Sequence, residues 1–217
     1  MNFMVGLFFL SATLIGLVAA LQFLQAKNKT LKAFGFGLLL NSLAFAIWTA
    51  AVLIQPAQLE AWVTIGVVPF ILSLLAYLSA GIQKLPNKSQ QNLLAAASVL
   101  GVGLFALRTY VLPSHADFSA DGLFFFNPDP VVNAIYVVSL VFVGLVAIPA
   151  ASGKFKNFVD RTVFVAAFTT LVIGGILLLT TKDTTLLYLT GYAMAAANIA
   201  ILIRFGLRSP RTWQIKK

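Results

Sequence analysis

Apolar residues run along this chain in long, nearly unbroken blocks. Seven blocks stand out, at about 3–25, 33–55, 62–83, 93–112, 131–151, 162–181 and 186–205. Each is near the roughly 20 residues that a helix needs to cross a hydrocarbon layer of about 30 Å. Lipid leaves no backbone group unpaired, so a spanning segment is a helix or part of a closed barrel. Barrel strands alternate apolar and polar positions over about ten residues, and a run such as VVNAIYVVSLVFVGLVAIPAA does not. The pattern predicts an all-α membrane protein, with residues 1–217 forming a single domain of seven transmembrane helices.

Basic residues orient that bundle. Lys27, Lys29 and Lys32 follow span 1, Lys84 and Lys88 follow span 3, and Lys154, Lys156 and Arg161 follow span 5. Arg204, Arg208, Arg211, Lys216 and Lys217 end or follow span 7, so 13 of the 15 Lys and Arg fall on one side. The other side carries Arg108 and Lys182 with Glu60, Asp117, Asp121, Asp129 and Asp183. Cytoplasmic loops collect Lys and Arg, which predicts an outside N-terminus and a cytoplasmic C-terminus in the cell (inner) membrane. The small residues of GLVAALQ resemble a cleavage site, but no positive region precedes them and the apolar run is too long for a signal peptide, so span 1 reads as retained.

Composition narrows the classes further. The chain is 60% apolar and 10% charged, with no cysteine. Disorder, a disulfide scaffold, a cysteine-ligated zinc or iron–sulfur site and an ordinary soluble enzyme are excluded on that basis. The net charge of +9 follows from the inside bias and attraction to anionic headgroups. The bilayer is the expected partner and nucleic acid is not, since no compact basic-aromatic surface occurs. Seven spans leave no room for a soluble domain.

Only the outer segment 113–130, PSHADFSADGLFFFNPDP, has substance as a loop. It reads as an interfacial loop with Phe124–Phe126 in the headgroup region, or as a lid over an outward cavity. IGLVAALQFLQAKNK can be laid on VGLVAIPAASGKFKN, and the Gly66–Pro86 interval mirrors Gly191–Pro210 within one residue. Both hint at a three-plus-one-plus-three repeat.

Ionisable groups inside spans mark ion and proton paths, and here all six carboxylates fall in loops or at span ends. The only histidine, His115, lies in the outer loop beside Ser114 and Asp117, without a nucleophile elbow. No cofactor or metal site is expected, and no enzyme activity. The polar groups left inside are neutral. Asn41 and Asn198 each lie about eight residues from the cytoplasmic end of their spans, roughly 10–12 Å deep. They read as a clamp between helices 2 and 7, or as bonded to neighbours, or as ligand contacts. TGYAMAAANIA gives helix 7 a small-residue face for close packing (Gly191 with Ala195, Ala193 with Ala197, Ala196 with Ala200), as do Gly174 and Gly175 in helix 6. That face also suits a pocket for a flat apolar ligand. Trp48, Trp62 and Trp213 read as interfacial belt residues, and Pro69 should kink helix 3. The candidate ligand contacts are Asn41, Trp48, Pro69, Tyr192, Ala196 and Asn198.

LKAFGFGLLLNSLAFAIWTAAVL resembles helix 2 of the microbial opsins, Pro69 stands where their helix 3 has a proline, and DTTLLYLTGYAMAAANIAILIRFGLRS is similar to their helix 7. The resemblance covers helices 1–3 and 7, with helices 4–6 matched by position alone. It implies an opsin-like bundle, yet Ala196 falls at the retinal-binding lysine and the nearest lysine is Lys182. Val63 falls at the counter-ion position and Leu74 at the proton-donor position, and helix 6 lacks the tryptophan and proline of the retinal cage. Covalent retinal and light-driven pumping are therefore not implied. Trp48, Trp62 and Pro69 also resemble the N-terminal seven-helix sensor regions of bacterial histidine kinases. No kinase domain is expected beyond RTWQIKK, and a signal is expected to pass to a separate partner.

The expected function is a non-catalytic receptor-like or sensory module that binds an apolar small molecule or a partner helix. An accessory subunit of a larger membrane complex and a facilitator of a small uncharged solute are the alternatives. The latter fits less well, because QPAQ occurs only in a loop.

Overall fold

The computed structural model describes residues 3–53, 58–112, 115–118, 124–127, 129–213 and 215, with the side chains of 3–8, 115–118 and 124–127 outside the description. Seven long helices are present: α1 (Phe3–Gln25), α2 (Lys29–Leu53), α3 (Leu59–Gly81), α4 (Asn87–Val111), α5 (Pro130–Ser152), α6 (Phe158–Thr180) and α7 (Thr184–Gly206). Among the described residues, α2 to α7 are long and apolar enough to cross a membrane, and α1 adds a shorter apolar stretch, Phe9–Gln25. The chain is a multi-pass helical membrane protein.

Most helices start before their apolar blocks do, because polar residues cap them. Asn28 Oδ1 accepts from the Thr30 amide at 3.0 Å, and Asp129 accepts from Val131 at 2.8 Å. Asn157 and Asp183 do the same for Val159 and Leu186, each at 2.9 Å. The first turn of a helix has unpaired N–H groups and a positive dipole end, so a short acceptor there is stabilising. Asp129 and Asp183 are therefore caps as well as markers of the less basic side.

The segment 113–130 is not a plain loop. β1 (His115–Phe118) and β2 (Phe124–Asn127) form an antiparallel hairpin with His115 opposite Asn127 and Phe118 opposite Phe124. A run of three phenylalanines favours extended backbone, and pairing satisfies N–H and C=O groups that leave the helical ladder. β1 runs beside α3 and β2 beside α6, so this end of the bundle is called the hairpin end below. Ser114 and the side chains of His115 and Phe124–Phe126 lie outside the described residues.

Helix packing is closest between α1, α2 and α3. A Cβ at Gly35 would sit 2.9 Å from the Leu24 amide nitrogen, so only glycine lets α2 approach the α1 backbone this closely. α4 packs mainly on α3, with Leu104 in one cluster with Val132 and Tyr136 of α5, and turns Val99, Leu100 and Val102 outward. α3 continues as an α-helix through Pro69. In α5 a π turn, Val143–Ala147, comes just before Pro149. Proline lacks an N–H and its ring crowds the carbonyl four residues back, and the wider turn relieves that crowding.

The opposite, basic end is closed by aromatic rings. Phe23 lies 5.9 Å from Phe164, 5.5 Å from Phe205 and 4.9 Å from Trp213. Beyond α7 the chain folds back through a 3-10 turn, Pro210–Thr212, and Ile215 bridges to Phe155. Trp213 is consequently buried in this plug and is not an interfacial belt residue. Asp160, in the first turn of α6 and only 2% exposed, pairs with Arg204 and lies 3.5 Å from Arg208. Its position at a span end matches the charge pattern, but its burial does not follow from that pattern. The positive end of α6 and the negative end of α7 favour this arrangement of charges.

Candidate functional site

A cavity of about 760 Å³ lies inside the bundle, walled by every helix except α4. Its wall toward the hairpin end is aromatic. Trp48 lies 5.5 Å from Phe45, 5.9 Å from Phe70 and 6.4 Å from Phe9. The Trp48 indole N–H donates to the Val63 carbonyl at 3.3 Å. Gly66 permits that seat, since a Cβ there would fall on the indole ring. Trp48, read from the sequence both as an interfacial belt residue and as a candidate ligand contact, thus faces inward from α2 to α3 and lines the cavity.

Polar groups enter the wall in two forms. Ser42 donates to the Leu38 carbonyl at 2.8 Å and Ser73 to the Phe70 carbonyl at 2.7 Å, so both hydroxyls are used within their own helices. The amides of Asn41 and Asn198 also line the cavity. Neither makes a hydrogen bond among the described residues, although Asn198 is only 7% exposed. The clamp between helices 2 and 7 is therefore not formed, and neither amide bonds its neighbours. Asn133 does bridge helices, donating to the Leu179 carbonyl at 2.9 Å. The difference has a physical cause. Leu179 sits in the last turn of α6, where carbonyls have no intrahelical partner, whereas carbonyls near the middle of α2 and α7 are already taken.

Two of the six predicted contacts fall elsewhere. Gly191, Met194, Ala195 and Asn198 form the inward stripe of α7, and Ala196, a further 100° round the helix, is exposed. Pro69 is buried among helices but leaves the inward position to Phe70. Tyr192 lines the cavity from its rim and is 69% exposed. The small-residue face divides in the same way. Gly174 does bring α6 against α7, since a Cβ there would lie 2.5 Å from Met194, but nothing lies within 4 Å of a Cβ at Gly191.

Arg108 was placed by its span position on the outer, solvent side; in the structure it is 2% exposed. It donates from Nη1 to Thr64 at 3.3 Å and lies within electrostatic reach of Tyr136, which lines the cavity. A lone arginine within an apolar block was a readable signal of burial. The inward face of Tyr136 had no such signal. Among the described residues no charged side chain lines the cavity and no cluster of metal-ligating side chains forms. The site offers shape, aromatic surface and two neutral amides. No protein-family profile matches the chain, and no curated protein matches it in sequence.

Proposed function

We propose that this protein is a non-catalytic, receptor-like membrane module that takes an apolar small molecule into the bundle. In this reading all seven helices cross the cell (inner) membrane, with the hairpin end outside and the basic end in the cytoplasm. The observation that carries the proposal is the cavity of about 760 Å³ with an aromatic wall and unpaired amides. Binding sites for small molecules commonly enclose about 300–1,000 Å³ of mostly apolar space with a few polar groups. The 13 basic residues at one end support the orientation.

Flux is a less suitable use of this architecture, because the aromatic plug lies across the basic end. An accessory-subunit role is the second reading, favoured by the outward apolar face of α4. Purified protein in nanodiscs should bind the dye Nile red saturably, and proteoliposomes should pass glycerol no faster than empty vesicles. Glycerol flux, or dye uptake that never saturates, would overturn the receptor-like reading. Migration far above 23.3 kDa plus detergent on blue-native gels, with no dye binding, would favour the subunit.

A further inference from the structure

Three properties of the cavity together restrict its occupant. The first is the absence of charge from the described lining. A carboxylate, phosphate or ammonium placed there would touch no counter-ion in the described lining, since Arg108 stands behind Tyr136 and bonds Thr64. A buried ion without a contact partner is far costlier than a neutral dipole. The second is the state of the polar side chains. Ser42 and Ser73 already donate to their own helices, while the amide of Asn198, more than nine-tenths buried, and that of Asn41 at the midpoint of α2 have no partner. A hydrocarbon occupant would leave both amides unsatisfied. An amide both donates and accepts, so a single carbonyl or hydroxyl oxygen would suit it.

The third is a gap in the wall. α1 and α7 meet at the basic end, where a Cβ at Gly206 would lie 3.2 Å from Val18. About four turns back along α7, no described atom lies within 4 Å of a Cβ at Gly191, and Ser11 and Tyr192 line the cavity while remaining exposed. The cavity therefore has exposed lining residues on both α1 and α7.

We infer that the cavity binds a neutral, lipid-dissolved molecule bearing a carbonyl or hydroxyl group, which enters sideways from the bilayer between α1 and α7 and is held by Asn198 and Asn41. The inference rests on the receptor-like reading and specifies its ligand. Chain-like and ring-containing molecules share the required chemistry; the oxygen and the absence of charge are what the site selects.

Trp48 reports occupancy, because bromine quenches an indole on contact, and a Trp48→Phe variant isolates its share of the signal. The full chain in nanodiscs is titrated with the methyl ester of dibromostearic acid, with dibromooctadecane and with a dibrominated alkyl sulfonate. The ester should quench Trp48 saturably, and the sulfonate should not. Asn198→Leu and Asn41→Leu should weaken ester binding about three- to tenfold and leave the hydrocarbon unaffected. Gly191→Phe should slow ester association severalfold. Gly103→Phe on α4, another position with no described atom within 4 Å of an added Cβ, should not.

Equal ester and hydrocarbon affinities, unchanged by the asparagine variants, would overturn the oxygen recognition and leave the receptor-like reading standing. Saturable quenching by the sulfonate would overturn the requirement for neutrality. An unchanged association rate in Gly191→Phe would overturn entry between α1 and α7. Quenching that saturates with no probe would overturn both this inference and the reading beneath it.

Discussion

At the basic end, Phe23, Phe164 and Phe205 pack ring against ring over a chain that folds back through Trp213. Toward the hairpin end, Phe9, Phe45, Trp48 and Phe70 are in similar ring contact but stand around the cavity. Both regions draw on the same residue types, so composition does not separate them. They differ in how polar groups are settled. At the basic end the charge of Asp160 has two arginines, although the buried Trp213 indole N–H has no hydrogen-bond partner among the described residues. Along the cavity, by contrast, the neutral amides of Asn41 and Asn198 have none among the described residues. A bundle in lipid gains little from burying apolar surface against other helices and relies on close packing and polar pairing. The basic end should therefore hold most of the stability, and the cavity half should be the part that adapts to a ligand.

The sharpest way to break this contrast is to damage the plug. Phe164 is fully buried, with ring centroids 4.6 Å from Phe168, 5.0 Å from Phe34 and 5.4 Å from Phe155. Phe164→Ala should destabilise the protein by about 3–5 kcal/mol, read by unfolding in mixed micelles. Phe45→Ala, at a partly buried ring beside the cavity, should cost clearly less. Equal losses would remove the distinction between the two halves.

Next in size is the ion cluster. Asp160→Asn leaves Arg204 and Arg208 without their carboxylate. Breaking a fully buried pair costs about 3–5 kcal/mol. Both arginines here reach solvent in part, so screening should bring the loss nearer to about 2 kcal/mol. The midpoint of unfolding, measured at low and high salt, checks this. A variant as stable as the parent would mean that α6 and α7 are held together without the charges.

A glycine pair sharpens the comparison at smaller scale. Gly66→Ala sets a methyl on the Trp48 indole, which must move and give up its bond to Val63. That should cost about 1–3 kcal/mol, the usual range for overpacking, and shift Trp48 emission. Gly191→Ala meets no described atom within 4 Å, and better helix propensity should stabilise it by up to about 1 kcal/mol. The two shifts in thermal midpoint should thus have opposite signs. A loss at Gly191 would show that α7 is packed there and that the opening toward α1 is closed.

How far the sequence revealed these regions follows from what kind of signal each leaves. Six spanning helices are visible in block hydropathy, because length and apolarity suffice to define them. Their starts are not, since caps such as Asn28 and Asn157 lie in polar sequence that hydropathy counts as loop. Asn41 and Asn198 were legible as candidates because amides are rare in such blocks, but their lack of partners depends on which carbonyls the neighbouring helices leave free. Ala196 was placed by alignment with a family position, and a rotation of 100° takes it off the inward stripe. Trp48 and Trp213 looked alike as span-end tryptophans. Only the fold separates one that walls a cavity from one that fills a plug. The hairpin and the buried Asp160–Arg204 pair are long-range pairings, and neither hydropathy nor charge counting carries that information.

The smallest effect bears most directly on the cavity half, because its sign alone decides. If Asn198 were a structural link, Asn198→Leu would lose an interhelical hydrogen bond, typically about 0.6 kcal/mol. In the structure the amide bonds no described residue and lines the cavity, so its replacement gives up no hydrogen bond within the protein. Leucine has the same number and branching of side-chain heavy atoms, with a larger volume that the adjoining cavity can take, and no polar atoms to desolvate. Ligand-free Asn198→Leu should therefore be more stable by about 1 kcal/mol, with Asn41→Leu in the same direction and smaller, since Asn41 is less buried. Asn133→Leu, which removes the bond to Leu179, should go the other way. Unfolding midpoints of the three variants in delipidated micelles give the comparison. A destabilised Asn198→Leu would mean that the amide is engaged within the protein, and the case for a ligand at this position would fail with it.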